Sequence, residues 1–279
     1  MRIVCEVLGL AVSSLYYTAK EKEEAALIQA IEKVAAESAR YGSRRITAQL
    51  KREPHLMKVN RKRVQRIMRE RGLVVLIKRS KKRTTDSRHK FQRYPNLVLG
   101  LQITKPNEVW VCDITYIRFG DGEFVYLAIV MDVLTRSIRG WSLSRSLAVE
   151  ISTSALEQAL AKGVCEIHHS DQGVQYACPV YVARLEEAGI SISMAEVGES
   201  NQNGFAERVI RTIKEEEVYL SEYRSFEEAE KQIGSFIESV YNKKRIHSSL
   251  GYLTPSEFEE QWLKEQACLA QNNGQSLGG

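Results

Sequence analysis

The stretch Val109–Val133, "VWVCDITYIRFGDGEFVYLAIVMDV", decides the fold. Its first part, Val109–Phe119, is rich in β-branched and aromatic residues and reads as a strand. "GDG" at 120–122 reads as a hairpin turn. Phe124–Val133 then reads as a second strand, nearly all apolar and so buried on both faces. In the first strand Val109, Val111, Asp113, Thr115 and Ile117 share one parity, which places the Asp113 carboxylate on a largely apolar face. A carboxylate there needs a basic partner or a metal, or it stays protonated.

Downstream, "SIRGWSL" (137–143) is a short third strand. A helix over "VEISTSALEQALAKG" (149–163) leads to a strand, "VCEIHH" (164–169). A helix over "PVYVARLEEAG" (179–189) leads to a fifth strand, "ISISMA" (190–195), and helices start near Gly204 and Ser225. The order β-β-β-α-β-α-β-α predicts an α/β fold, a mixed five-stranded sheet flanked by helices. That is the element order of the ribonuclease-H-like fold.

Upstream, the composition changes. Residues 1–105 carry 25 Lys+Arg against 9 Asp+Glu, whereas the remainder carries 15 against 26, although the whole chain is only +5. Such asymmetry points to a polyanion-binding module, with nucleic acid ahead of an anionic membrane surface as its partner. Helical periodicity over Ala25–Ala39, the pair Ile46 and Leu50, and a capped basic helix in "VNRKRVQRIMRERGL" (59–73) predict a small all-α helix-turn-helix domain. Residues 40–93 hold 20 Lys+Arg and 3 acids, more than solubility requires. Arg44, Arg45, Arg61, Lys62, Arg63 and Arg66 are the candidate DNA contacts here.

The expected domains are a helical remnant at 1–24, the helix-turn-helix domain at 25–77 and a basic linker at 78–105. A catalytic core with C-terminal helices follows at 106–262, and a disordered tail at 263–279. Five cysteines with no Cys-x-x-Cys pair argue against a disulfide framework or structural zinc and fit a reducing, cytoplasmic setting. Glu6 interrupts the apolar N-terminus, which therefore does not read as a signal peptide, and no transmembrane run is expected.

Two further acids stand out. Asp171, in "HHSDQGVQY" (168–176), follows the fourth strand, and Glu207 falls early in "NGFAERVIRTIKEEE" (203–217). At about 100° per residue, Glu207, Arg211 and Lys214 lie within roughly 60° of one another, apart from an apolar face of Ala206, Val209, Ile210 and Ile213. Alone, Glu207 and Arg211 read as an ordinary i,i+4 ion pair. Asp132 reads as structural, paired with Arg136 or a backbone donor. His168 and His169 alternate faces at a strand end and fit satisfied structural histidines better than a role for one of them at a metal site or a phosphate. His247 fits either a DNA contact or a pin for the C-terminal segment. Trp110, Trp141 and Trp262 read as packing residues.

Between Asp171 and Glu207 lie 35 residues. With Asp113 on an earlier strand, this pattern closely resembles the transposase and integrase superfamily, whose triad is Asp, Asp, then Glu 35 residues on. More narrowly, the chain resembles the second-frame (OrfB) protein of a large family of bacterial insertion sequences related to retroviral integrases. The blocks "YGSRRITAQL", "VNRKRVQRIMRERGL", "PNEVWVCDITYI", "HHSDQGVQY" and "YNKKRIHSSLGYLTPSEF" carry the resemblance across residues 25–260. It implies a DDE triad of Asp113, Asp171 and Glu207 holding two Mg²⁺ ions, with Mn²⁺ able to substitute. It also implies that Lys214 contacts DNA near the site, with Arg211 beside it. Metal-dependent 3′-end cleavage and strand transfer at terminal inverted repeats follow, with terminal-repeat and target DNA as partners and a homo-oligomer, at least a dimer, on DNA. A first-frame OrfA partner, or an OrfA–OrfB fusion made by frameshifting, is expected, and no membrane. Two departures from the family pattern are Gln202, where an acid is common, and "AEVGE" (195–199), where a Ser-Arg stretch is common. A non-catalytic DNA-binding regulator on a degenerate integrase fold and a nuclease for RNA–DNA hybrids are the rival readings.

Overall fold

A computed structural model describes residues 24–73, 91–119, 123–196 and 198–275, together with Cys5, Val7 and Gly9. Most of the N-terminal remnant, residues 78–90 of the linker and the "GDG" turn lie outside the described residues.

Three helices open the described chain: α1 (Ala25–Glu37), α2 (Ser43–Leu50) and α3 (Arg61–Glu70). Asn60 caps α3, its side chain accepting from the Lys62 N–H. Ile31, Val34, Ile46, Leu50, Val64 and Ile67 form their common core, and Ile246, from far along the chain, is buried in the same cluster.

The second part of the chain is built on a five-stranded sheet in the order β3-β2-β1-β4-β5. The strands are β1 (Val109–Phe119), β2 (Glu123–Asp132), β3 (Ile138–Ser144), β4 (Ile167–Ser170) and β5 (Ser191–Met194). The first three pair antiparallel, whereas β4 and β5 run parallel to β1. This is the mixed, ribonuclease-H-like arrangement the element order predicts. On one face, α4 (Val149–Leu160) and α6 (Pro179–Glu187) cover Trp110, Cys112, Ala128 and Val130. On the other, α7 (Gly204–Glu216) and α8 (Phe226–Ser235) cover Val109, Val111, Leu127 and Ile129. A short helix, α5 (Val174–Ala177), precedes α6, and a π-helical turn, Phe236–Tyr241, continues α8. The continuous apolar run of β2 is thereby buried on both sides.

The sheet edges are both covered. Residues 91–105, expected to belong to a basic linker, instead pack on the core: Tyr94 joins one cluster, Val98 and Ile103 the other. The Leu97 N–H donates to Ser193 Oγ (2.8 Å) on the β5 edge. At the β3 edge, the Asn242 amide pairs with both backbone groups of Ile138 (3.0 and 3.1 Å), as a neighbouring strand would.

The expected disordered tail also differs. Helix α9 runs Pro255–Gln275, into that segment. Thr254 and Glu257 exchange side-chain and backbone hydrogen bonds (2.8 and 3.2 Å) at its start, and Pro255 begins it. Strong initiation, followed by helix-forming Leu, Lys, Glu, Gln and Ala, carries the helix beyond the last packed turn.

Strand β3 approaches α4 too closely for any side chain at 140. A Cβ on Gly140 would stand 1.9 Å from the Ala155 carbonyl oxygen and 2.9 Å from the Ala159 nitrogen. Gly140→Ala must therefore push backbone against backbone. The expected cost is about 3 kcal/mol, a fall in melting temperature of about 10 °C by circular dichroism. A change under about 2 °C would mean that β3 and α4 separate freely.

Candidate active site

Asp113 sits in β1 where the parallel ladder with β4 has just ended. The last pairs are Trp110 with His168 and Val111 with His169. The same offset, carried two residues further, sets Asp113 level with Asp171 on the adjacent chain. Parallel neighbours lie about 4.8 Å apart, so Asp113, midway along β1, stands beside Asp171, just past the carboxyl end of β4, where α/β sheets place ligands. Asp113 is half-buried, and one of its oxygens accepts the Ile114 N–H (2.8 Å). Asp171 closes a turn in which Oδ1 accepts the Gly173 N–H (3.0 Å).

Glu207 lies in the first turn of α7 and is exposed. The buried face of α7 is Ala206, Val209, Ile210, Thr212 and Ile213, which includes the whole apolar stripe read from the sequence. Two buried contacts hold the helix start beside the Asp pair. Asn203 Nδ2 donates to the Cys112 carbonyl (2.9 Å), one residue before Asp113. His169 Nε2 lies 3.2 Å from the Gln202 carbonyl, while its Nδ1 meets Ser193 Oγ (2.8 Å). That pattern places the imidazole proton on Nε2. Gln202, the departure from the family pattern, accepts from both Asn96 Nδ2 (2.8 Å) and the Glu196 N–H (2.7 Å). It secures the loop with neutral hydrogen bonds where an acid is common.

The electrostatics follow the geometry. Burial, and then the charge of Asp171, push the Asp113 carboxyl well above the usual carboxylate range, and Glu207 adds to the effect. The Ile114 N–H and Lys214 oppose it. Lys214 is half-buried, its ammonium 4.7 Å from the centre of the Tyr116 ring. Burial lowers its pKa, against the pull of Asp113. Asp113 thus senses Asp171, Glu207 and Lys214, whereas Arg211 is exposed on the same helix. Among the described residues, no three acids, histidines or cysteines already stand close enough to form a metal cluster.

The other candidates separate into two groups. Arg44, Arg61 and Lys62 are exposed. Arg63 and Arg66 share Glu24 (2.7 Å each), and Arg66 also binds Glu70 (2.9 Å). Arg45 faces Glu216 (3.6 Å) and lies over the Tyr41 ring. Asp132 is buried and accepts from the Asn107 (2.6 Å) and Thr135 (2.8 Å) N–H groups. Its nearest guanidinium is that of Arg139 (3.9 Å), whereas the Arg136 guanidinium sits over Phe205. Trp110 is fully buried, Trp141 packs on Gly234, and Trp262 is partly exposed.

The histidines are structural. His168 Nε2 meets both the Cys112 thiol and the Tyr181 hydroxyl at 2.8 Å. Burial lowers its pKa to about 3. His247 is buried beside Arg245 (3.2 Å) and pins the C-terminal segment by pairing with Leu253; its pKa falls to about 2, through burial first and neighbouring guanidiniums second. Both imidazoles are neutral in the fold and take up a proton only on unfolding, near pH 6.5. Their stabilisation is therefore complete above about pH 6.5 and is lost as pH falls towards 3, by up to about 1.4 kcal/mol per unit for each. Asp113, with its raised pKa, acts in the opposite direction. Urea unfolding from pH 7 to 4 should show a shallower acid decline for His247→Gln than for the wild-type chain. Parallel declines would place the imidazole proton uptake elsewhere.

The integrase core domain family matches residues 103–200, and a second integrase core family matches 188–255. An HTH-like domain family matches residues 21–81. These define the class, an integrase-type core behind a helix-turn-helix-like domain. The transposase for insertion sequence element IS904 of Lactococcus lactis is 34% identical, over 79% of this chain and 88% of its own length. The IS629 transposase of Shigella sonnei is 31% identical, over 92% and 90% respectively. The transposase InsF for insertion sequence IS3A of Escherichia coli is 31% identical, over 80% and 78%. The HTLV-2 integrase catalytic core domain, solved in complex with magnesium, is 17% identical, with a TM-score of 0.46 over 55% of this chain and 97% of that one. The chain belongs to the family of insertion-sequence transposases.

Proposed function

We propose that this chain is a catalytic DDE transposase that cuts one strand at each end of an insertion sequence and joins the freed 3′ end to DNA. The register that sets Asp113 level with Asp171 carries this reading. The Asp113 carboxyl, disfavoured as an anion by burial and by Asp171 and only partly relieved by Lys214, suits a cation beside it. The donor set, hard oxygens from Asp113, Asp171 and Glu207, fits Mg²⁺ or Mn²⁺. Held by Asp113, Asp171 and Glu207, two such ions would supply Lewis acidity at the scissile phosphate, for the attacking and the leaving oxygen alike.

The chain's own groups do the rest. Asp113, from within β1, and Asp171, just past the end of β4, face the reacting phosphate. Glu207 reaches it from α7, where its exposed side chain is free to swing. Lys214, at the same cluster, and the exposed Arg211 attract the phosphodiester. No side chain here is poised as a nucleophile: Cys112 is buried and its thiol pushed well above its ordinary value. The attacking oxygen is therefore that of water or of a DNA 3′-hydroxyl. The basic helical domain binds terminal-repeat DNA through Arg44, Arg61 and Lys62, and two ends held together require at least a dimer. A first-frame partner, separate or fused, supplies further end recognition.

A labelled terminal-repeat duplex, incubated with the chain and with its first-frame partner in Mg²⁺, should yield nicked and joined products. EDTA should remove them while leaving DNA binding intact. Bound DNA without products in Mg²⁺ or Mn²⁺ would favour the rival reading, a DNA-binding regulator.

A further inference from the structure

The seam between the helical domain and the core holds more positive charge than its acids balance. Arg245 is buried and grips Glu216 through two hydrogen bonds (2.7 and 2.8 Å). Arg45, from α2, lies 3.6 Å from the same carboxylate. Arg136, from the β2–β3 turn, stacks on Phe205 of α7, and the exposed Arg208 lies three residues further along that helix. His247, beside Arg245, is neutral, its protonation opposed by burial and by Arg245, Arg45 and Arg136. Arg45 likewise has its pKa lowered by burial and by the charges of Arg245 and Arg208, against the pull of Glu216. Among the described residues, Glu216 is the one carboxylate within ion-pair distance of Arg45 and Arg245, and the charge of Asp132 acts on Arg136 from further away.

Arg136 is also held at a conformational cost. Its φ is 63°, in the left-handed region that side chains other than Gly and Asn seldom adopt. Its turn is locked, with the Arg136 N–H donating to the Asp132 carbonyl (3.0 Å) and the Thr135 N–H to the Asp132 side chain (2.8 Å). The guanidinium lies flat over Phe205, 4.2 Å from its ring centre, and Phe205 itself is 45% exposed. Helix α7 joins this seam to the acids, with Glu207 in its first turn and Glu216 at its end.

We propose that this seam seats a backbone phosphate of the bound DNA, held by Arg136 and Arg208 with Arg45 behind them. The planar fork of arginine suits a phosphodiester. The contact carries no base information; it sets the register of the duplex between the two domains. The proposal rests on the DNA-transposase reading and adds to it a site on the core's side of the seam.

The test is binding of a labelled terminal-repeat duplex by the full chain across a salt series. Arg136→Gln and Arg208→Gln should each reduce the slope of log K against log salt by about 1, and the double variant by about 2. Arg184→Gln, on the far helix α6, should match the wild type. Melting curves identify any variant that misfolds, and Arg208→Gln, at an exposed position, keeps the test decisive if Arg136→Gln does so. An unchanged slope in the folded variants, with the wild type binding, overturns the proposal alone. Protection of the seam by inorganic phosphate with no change in the DNA slope also overturns it, marking a free-anion seat instead. Absence of DNA binding by the wild type overturns the transposase reading as well.

Discussion

Asp113→Asn, Asp171→Asn and Glu207→Gln are each expected to lower strand transfer by at least about a thousandfold, with terminal-repeat binding kept within about threefold. The amide keeps the shape of each side chain and removes its charge. What is lost is charge and ligand strength at the reacting phosphate, which matter most in the transition state. The electrostatics add a signature specific to Asp113. Its ionised form is disfavoured in the fold, by burial first and by Asp171 second. Asp113→Asn should therefore melt at or above the wild-type temperature while being inactive. A merely structural aspartate would show the reverse, lower stability with activity falling in proportion. Near-wild-type strand transfer in Mg²⁺ by any one of the three amides would falsify the triad.

Glu216→Gln has the largest expected effect on stability. Arg245 is 5% exposed and relies on the two oxygens of Glu216, with Arg45 also beside them. Removing one partner of a buried pair strands the other, at a cost of about 3–5 kcal/mol. The pair also ties the domains together, through α2 on one side and α7 with the Arg245 segment on the other. Its loss should lower the melting temperature by about 10 °C. It should also open the helical domain to proteolysis at the seam, where Tyr41 Oη now accepts the Ile246 N–H (2.9 Å). A melting temperature unchanged in Glu216→Gln would show that the guanidiniums are solvated and that the seam is loose. Arg45 and Arg245 are then free for DNA in place of Arg136 and Arg208.

Much of the fold was legible because its signals are local. Val109–Phe119 alternates one buried face against another, and the strand has those bounds. The apolar stripe of α7 could be read by angle and is buried as expected. The three acids were legible as a set through their order and spacing along the chain. Their electrostatic coupling was not, because it arises from the offset between β1 and β4, which is a property of pairing between strands. Residues 91–105 looked like linker because a few apolar residues, Tyr94, Val98 and Ile103, are spread along a polar segment. Only the open β5 edge gives them something to cover.

The sequence by itself determined the class of fold and the basic and acidic halves, and it offered three carboxylates as candidates, since periodicity, composition and spacing are written along one chain. The tertiary structure decided what stands beside them. It put Asn203 on the Cys112 carbonyl and His169 on the Gln202 carbonyl, fixing the start of the Glu207 helix. It buried Ile246 among residues of the first three helices, so that a segment near the C-terminus completes the core of the helical domain. It turned Arg45 to Glu216 and left Arg136 over Phe205. These partners lie tens to hundreds of residues apart, and each alone is an ordinary polar or apolar side chain. Burial makes each of them matter, because a charge or hydrogen-bonding group taken out of water must find its partner wherever the fold has placed it.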